Sequence, residues 1–159
     1  MAYKYIDLFC GAGGLSLGFD SAHFENVFAV EFNSDFAKTY TRNFPKHNLI
    51  VDDIRNIDDK KIKELVGDNE VDVIIGGPPC QGFSIAGNIG RTFIDDERNR
   101  LFMEFVRFVT CVQPKMFVME NVAAMATHLK GKTIKTVVEA FKNAGCGYKV
   151  KYEVLNSVN

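Results

Sequence analysis

An apolar run, Val71-Asp72-Val73-Ile74-Ile75, stops on Gly76-Gly77-Pro78-Pro79-Cys80-Gln81-Gly82. A run this short, rich in β-branched residues and closed by glycine and proline, predicts a buried strand that ends abruptly. Proline has no N–H with which to continue a ladder, and glycine frees the backbone to turn, so the break delivers Cys80 to the strand's C-terminal edge. In α/β sheets that edge is where ligands bind.

The same rhythm recurs along the chain. Residues 5–9, 27–30, 49–51, 71–75 and 116–119 read as short strands, and 148–155 alternates as a last one. Helices are predicted over 14–21, from a cap at Asn33 or Ser34 through Thr41, and over 60–66 behind Asp58 or Asp59. A further helix begins at Asp95 and Asp96, buries the face Leu101, Phe105, Phe108 and Val112, and ends at Gln113-Pro114. The last covers 133–144 and closes on Gly145, while the segment holding Gly82, Gly87 and Gly90 reads as a mobile loop. Strands alternating with helices predict an α/β fold, a mostly parallel, doubly wound sheet. With neither repeats nor an interior linker, residues 1–159 are expected to form one domain.

Bulk properties narrow the function. A hydrophobic share of 47% and a charged share of 25% match an ordinary globular domain. No apolar stretch approaches the roughly 20 residues of a membrane span, so no membrane partner is expected and the location is read as intracellular, cytoplasmic if the source is bacterial. Cys10, Cys80, Cys111 and Cys146 form no C-x-x-C pair and lie beside no histidine at ligand spacing, so neither a metal nor a disulfide is expected. A net charge of -1 lacks the basic excess of a self-sufficient nucleic-acid binder.

Two constellations carry chemistry. Asp7-Leu8-Phe9-Cys10-Gly11-Ala12-Gly13-Gly14 joins the first strand to the first helix, where N–H groups and the helix's positive end can surround a ligand. Ser16 stands where a dinucleotide fingerprint needs glycine, which disfavours a nicotinamide. Glu31, at the end of the second strand, is placed to bind ribose hydroxyls. The second constellation pairs Cys80, a candidate thiolate nucleophile, with Glu120, which follows the strand 116–119 and is expected at the same edge. Partial desolvation there would raise the glutamate's pKa and suit it to deliver a proton.

These segments together resemble the DNA (cytosine-5) methyltransferases. The stretch 7–14 is similar to that family's S-adenosyl-L-methionine loop, Gly77-Pro78-Pro79-Cys80-Gln81-Gly82-Phe83-Ser84 to its nucleophile motif, and Glu120-Asn121-Val122 to its acid motif. The resemblance runs from Tyr5 to about Asn156 and implies a Rossmann-like fold of S-adenosylmethionine-dependent methyltransferases. It implies that Cys80 attacks C6 of a flipped cytosine, that Glu120 protonates N3, and that Asn121 positions neighbouring backbone. Phe9, Gly11, Gly13, Gly14 and Leu15 would hold the methionine portion, and Glu31 the ribose. Phe32 would pack on adenine, Asp53 and Ile54 would read its edge, and Pro79 would line the pocket beside the methyl group. Within 81–100, Ser84, Arg91, Arg98 and Arg100 are candidate contacts to double-stranded DNA.

The sequence stops short of the family's Gln-x-Arg-x-Arg motif and target-recognition domain, so a fold incomplete at its C-terminus is expected. A C-terminal complement, as a second subunit or the remainder of the chain, is expected as partner. It would also account for the missing basic charge. Two other readings stay open: an inactive cofactor-binding or partner-binding remnant, and a tRNA cytosine-5 methyltransferase, although Cys80-Gln81-Gly82-Phe83-Ser84 looks more like the DNA enzymes.

Overall fold

The computed structural model describes residues 2–79 and 101–156 and the backbone of Arg100; residues 1, 80–99 and 157–159 lie outside the described residues. Five strands are described: β1 (Lys4–Leu8), β2 (Glu25–Glu31), β3 (Leu49–Val51), β4 (Val73–Gly76) and β5 (Met116–Met119). They form one sheet in the order β3-β2-β1-β4-β5. Every pairing is parallel. Parallel neighbours need crossovers, and these carry α1 (Gly14–Ser21), α2 (Ser34–Asn43), α3 (Asp59–Val66) and α4 (Arg100–Val112). After β5 come a single turn, α5 (Ala124–Thr127), and then α6 (Lys132–Lys142). The chain first builds outward from β1 to β3, then returns to β1's other side with β4 and β5. The topological switch, where doubly wound sheets bind ligands, therefore lies between β1 and β4.

Alternation along the strands assigns the two faces. Ile6, Leu8, Phe28, Val30 and Ile74 join Ile62 of α3, Phe102, Phe105 and Phe108 of α4, and Val137 and Phe141 of α6 in the main core. Tyr5, Val73 and Ile75 turn the other way, against Leu15 and Phe19 of α1. Phe141 is the aromatic hub, stacked on Phe117 at 4.0 Å and edge-on to Phe102 and Phe105.

Local signals place most boundaries where the sequence predicts them. Asn33 caps α2 by accepting from the N–H groups of Asp35 and Phe36, and Asp58 caps α3 through Lys61 N–H. The helix start expected at Asp95 and Asp96 and the loop at Gly82, Gly87 and Gly90 lie outside the described residues. The predicted last strand, 148–155, is not one: no ladder forms there among the described residues. Tyr148 is anchored by its hydroxyl donating to Pro114 O at 2.7 Å, and Val150 packs on the core. Beyond them Tyr152, Val154 and Leu155 are exposed. The alternation is present, but a strand exists only where a neighbour supplies its hydrogen bonds.

The start of α1 rests on Asp7. Its N-cap, Gly13, has no side chain to offer the first turn. Asp7, reaching from β1, accepts the Ser16 hydroxyl at 2.6 Å and also the Ser16 N–H. The carboxyl is 0% exposed and its Oδ1 has no hydrogen-bond partner. Burial pushes its pKa from 3.8 up to about 7; the Ser16 hydrogen bonds oppose this and the negative charge of Glu31 adds to it.

Two outcomes are expected. The folded state keeps the Asp7 proton to about pH 7, whereas the unfolded chain releases it near 3.8, so this group's stabilisation falls as pH rises through that window. Asp7→Asn should flatten the difference between urea midpoints at pH 4.5 and 7.5; a pH dependence equal to wild type would show that Asp7 does not titrate there. Phe141→Ala should lower stability by about 3–5 kcal/mol in the same measurement, because a large ring leaves a core that collapses only partly.

Candidate active site

The sheet's register brings three strand ends level. Leu8 pairs with Gly76, and Gly76 with Met119. The glycine loop therefore leaves the sheet beside Gly77-Pro78-Pro79, with Glu120-Asn121-Val122 on the other side. Glu120 N–H donates to Gly76 O at 3.0 Å, and Asn121 Nδ2 donates to Pro78 O at 3.0 Å. A Cβ at Gly77 would stand 3.1 Å from Glu120 Oε2, so the carboxylate lies directly against the turn that leads to position 80. Pro79, the last described residue of that turn, is exposed. Cys80, Ser84, Arg91 and Arg98 lie outside the described residues, as does the side chain of Arg100.

One expectation is corrected here. Glu120 is exposed rather than partly desolvated. It sits on the rim beyond β5, past the last layer of core side chains, where water reaches the carboxylate.

The glycine loop is strongly bent. Phe9, Gly11 and Gly13, alternate residues of the loop, have φ of 60°, 55° and 97°, in the left-handed region where glycine is at ease and Phe9 is strained. A Cβ at Gly11 or Gly14 would meet nothing within 4 Å, so a ligand can approach the main chain at both. Gly13 differs, because a Cβ there would collide with the Phe44 ring at 2.2 Å. Leu15, half-buried, packs under the loop against Tyr5, Val73 and Ile75. Cys10 is buried, and that burial, reinforced by Asp7 and Glu31, pushes its thiol far above the usual range. It stays protonated and is unfit as a nucleophile.

Glu31 ends β2 with both carboxylate oxygens engaged. Oε2 accepts Gly11 N–H at 2.8 Å and Oε1 accepts Asn33 N–H at 2.7 Å, which tie it to the glycine loop and to the cap of α2. Each oxygen retains a further acceptor site. Beside it the Phe32 ring is 72% exposed, an aromatic face with no core to serve.

Asp53 and Ile54 lie in the turn after β3. Arg55 grips the Asp53 carboxylate through its side chain and its N–H, and holds the pKa below the usual range. The Ile54 side chain is buried, so what Ile54 can offer a ligand is its main chain. Arg107 of α4 anchors this turn, donating to Ile54 O at 3.2 Å and Ile57 O at 2.8 Å and pairing with Asp59 at 2.8 Å. Sequence reading passed over Arg107, and included Asp7 in the glycine-loop motif without a role of its own. The signals were a cation inside a largely apolar helix and an acid inside an apolar strand; besides Glu104 on its own helix, Arg107 bonds Ile54 and Ile57 in a remote turn, and Asp7 bonds Ser16 in the next element.

Open glycines after β1, with an acceptor carboxylate and an exposed ring at the end of the adjoining β2, form a set of groups that fits a nucleoside-bearing molecule such as S-adenosyl-L-methionine. The comparisons with known proteins agree with this geometry. Residues 3–159 match the family model described as C-5 cytosine-specific DNA methylase. The type II methyltransferase M1.HphI of Haemophilus parahaemolyticus is 52% identical over 159 residues, covering 100% of this chain and 42% of that protein. M.AquIA of Picosynechococcus is 42% identical over 167 residues, covering 100% of this chain and 66% of that protein. The structure of a DNA modification methyltransferase encoded within an E. coli prophage superimposes with a TM-score of 0.73 at 36% identity, over 87% of this chain and 37% of the other. Spodoptera frugiperda DNMT2 gives a TM-score of 0.67 at 25% identity, over 90% and 41%. The chain thus spans about two-fifths of M1.HphI and about two-thirds of M.AquIA. By its matched length and its three strand-end motifs, it belongs to the C-5 cytosine-specific DNA methylase family.

Proposed function

We propose that this chain is the cofactor-binding and catalytic part of a DNA cytosine-5 methyltransferase. The observation that carries the reading is the register Leu8, Gly76, Met119, which sets the glycine loop, the turn before Cys80 and Glu120 side by side. Family membership supports the same assignment.

In this reading Gly11, Gly14, Phe9 and Leu15 hold the methionine end of S-adenosyl-L-methionine, with Gly13 shaping the loop beneath. Glu31 accepts from the ribose hydroxyls, Phe32 covers the adenine, and the turn at Asp53 and Ile54 meets its edge. Pro79 walls the pocket toward the base. Bound there, the cofactor supplies a methyl group made electrophilic by its sulfonium.

The Cys80 thiolate forms a bond to C6 of a cytosine swung out of the duplex, and the electrons of the 5,6 double bond move to C5. Glu120 hydrogen-bonds N3 and gives it a proton, which draws charge from the ring and favours the attack. C5, now nucleophilic, accepts the methyl group. Loss of the C5 proton to water restores the double bond and expels Cys80 as thiolate, and N3 returns its proton to Glu120, so the enzyme ends unchanged. Asn121 holds Pro78 O and so orients the turn from which Cys80 extends. Ser84, Arg91, Arg98 and Arg100 would meet the DNA. A C-terminal complement, whether further chain or second subunit, belongs to the reading because relatives are longer and this part carries a net charge of -1.

The test is covalent trapping. The protein with its C-terminal complement, S-adenosyl-L-methionine and duplex DNA containing 5-fluorocytosine should give an adduct that survives denaturing electrophoresis, because fluorine at C5 blocks the elimination that releases Cys80. Cys80→Ala should give none. Lack of an adduct with wild type, or an equal one from Cys80→Ala, sinks the mechanism. With unmodified DNA, Glu120→Gln should lower kcat by roughly 10²–10⁴-fold, the range for a positioned acid. Methyl incorporation into tRNA in preference to duplex DNA would reassign the substrate.

A further inference from the structure

We infer that the C-terminal end of α2 is a clamp that fixes the shape of the glycine loop, with Tyr40, Asn43 and Phe44 as positioning residues for the cofactor. The inference rests on the assignment of residues 11–14 to S-adenosyl-L-methionine.

The loop needs such a device. Three glycines in four residues leave its peptides free to rotate, and a loose loop must be ordered each time a ligand binds. The end of α2 holds it at three successive points. Asn43 Nδ2 donates to Ala12 O at 3.0 Å. The N–H of that same peptide, on Gly13, donates to Cys10 O at 2.9 Å. The peptide between Ala12 and Gly13 is thereby bound at both ends and cannot flip without breaking two hydrogen bonds. Phe44 closes the second point, since its ring fills the space where a Gly13 Cβ would stand.

Tyr40 makes the third. Its hydroxyl lies 2.8 Å from Ser16 Oγ in the first turn of α1, and Ser16 in turn donates to Asp7. The clamp is itself braced. The Tyr40 hydroxyl lies 3.0 Å from His47 Nδ1, the His47 ring stacks on Phe44 at 4.9 Å, and His47 Nε2 lies 3.1 Å from Asp20 Oδ2. Asp20 accepts the Tyr5 hydroxyl at 2.7 Å, which returns the network to β1. Tyr5 and Tyr40 are wholly buried, whereas Asn43 is exposed. The Asn43 contact therefore adds nothing to the core, and its effect is confined to the orientation of one loop peptide.

Asn43→Ala and Tyr40→Phe are the variants to compare with wild type, by amide hydrogen exchange at residues 11–17 without ligand and by calorimetric titration with S-adenosyl-L-methionine. Asn43→Ala should speed exchange at Gly13 and weaken cofactor binding ~5-fold, the effect of one net hydrogen bond, with melting unchanged. Tyr40→Phe should speed exchange nearer Ser16. Wild-type exchange in both variants overturns the clamp, and faster exchange with undiminished affinity overturns its role in positioning the cofactor. If wild type binds no S-adenosyl-L-methionine while Asn43→Ala still loosens the loop, the cofactor assignment falls and the clamp stands on the exchange alone.

Discussion

At Gly76 a Cβ would lie 2.2 Å from the carbonyl oxygen of Leu8 and 3.1 Å from the ring of Phe105. Nothing larger than hydrogen fits between β1, β4 and α4 at that point. The close approach holds β1 and β4 in one register, and β4 passes the register on to β5 through the pairing of Gly76 with Met119. Because the three strands end level, the loops after them emerge at a common height. A side chain at position 76 would part the strands at the switch point, and with them the glycine loop from Glu120. The rest of the site depends on this contact between backbones.

Where the sequence was legible, the determinant was local. The bounds of α1, β3 and β5 follow from periodicity and punctuation, and Asn33 and Asp58 cap helices with their own side chains. The strand-end motifs could be placed because each directly follows an apolar run. What escaped depends on pairing across the fold. Residues 148–155 carry a strand's alternation but lack a neighbour's ladder, and alternation alone does not supply one. Arg107 reaches Ile54 and Ile57, and Asp7 reaches Ser16, across distances that no local pattern encodes. Glu120 was placed at the correct edge, yet its exposure depends on how far the rim rises above the core.

Cys10 and Cys80 show why motif position alone cannot assign a nucleophile. In the sequence both follow an apolar run, and both lie next to or near glycines. Cys10 points down between β2 and α2, where burial and the nearby Asp7 and Glu31 hold the thiol protonated. Those same acids serve the loop: Glu31 binds Gly11 N–H, and Asp7 caps α1. Acids that secure the glycine loop thus keep its own cysteine protonated, and the proposed reaction takes its nucleophile from the segment after β4.

The exposure of Glu120 bears on how the proposed reaction is ordered. A solvated carboxylate interacts weakly with any partner, because water screens it and competes for its lone pairs. Seating a base against Glu120 displaces that water, and the hydrogen bond that the acid donates to N3 strengthens as its surroundings dry. Desolvation of the acid and arrival of the substrate then become a single event. An acid desolvated in advance would carry a standing cost to folding, as Asp7 does. Placing Glu120 on the rim avoids that cost, and ties full activation to a base already seated beside the cysteine.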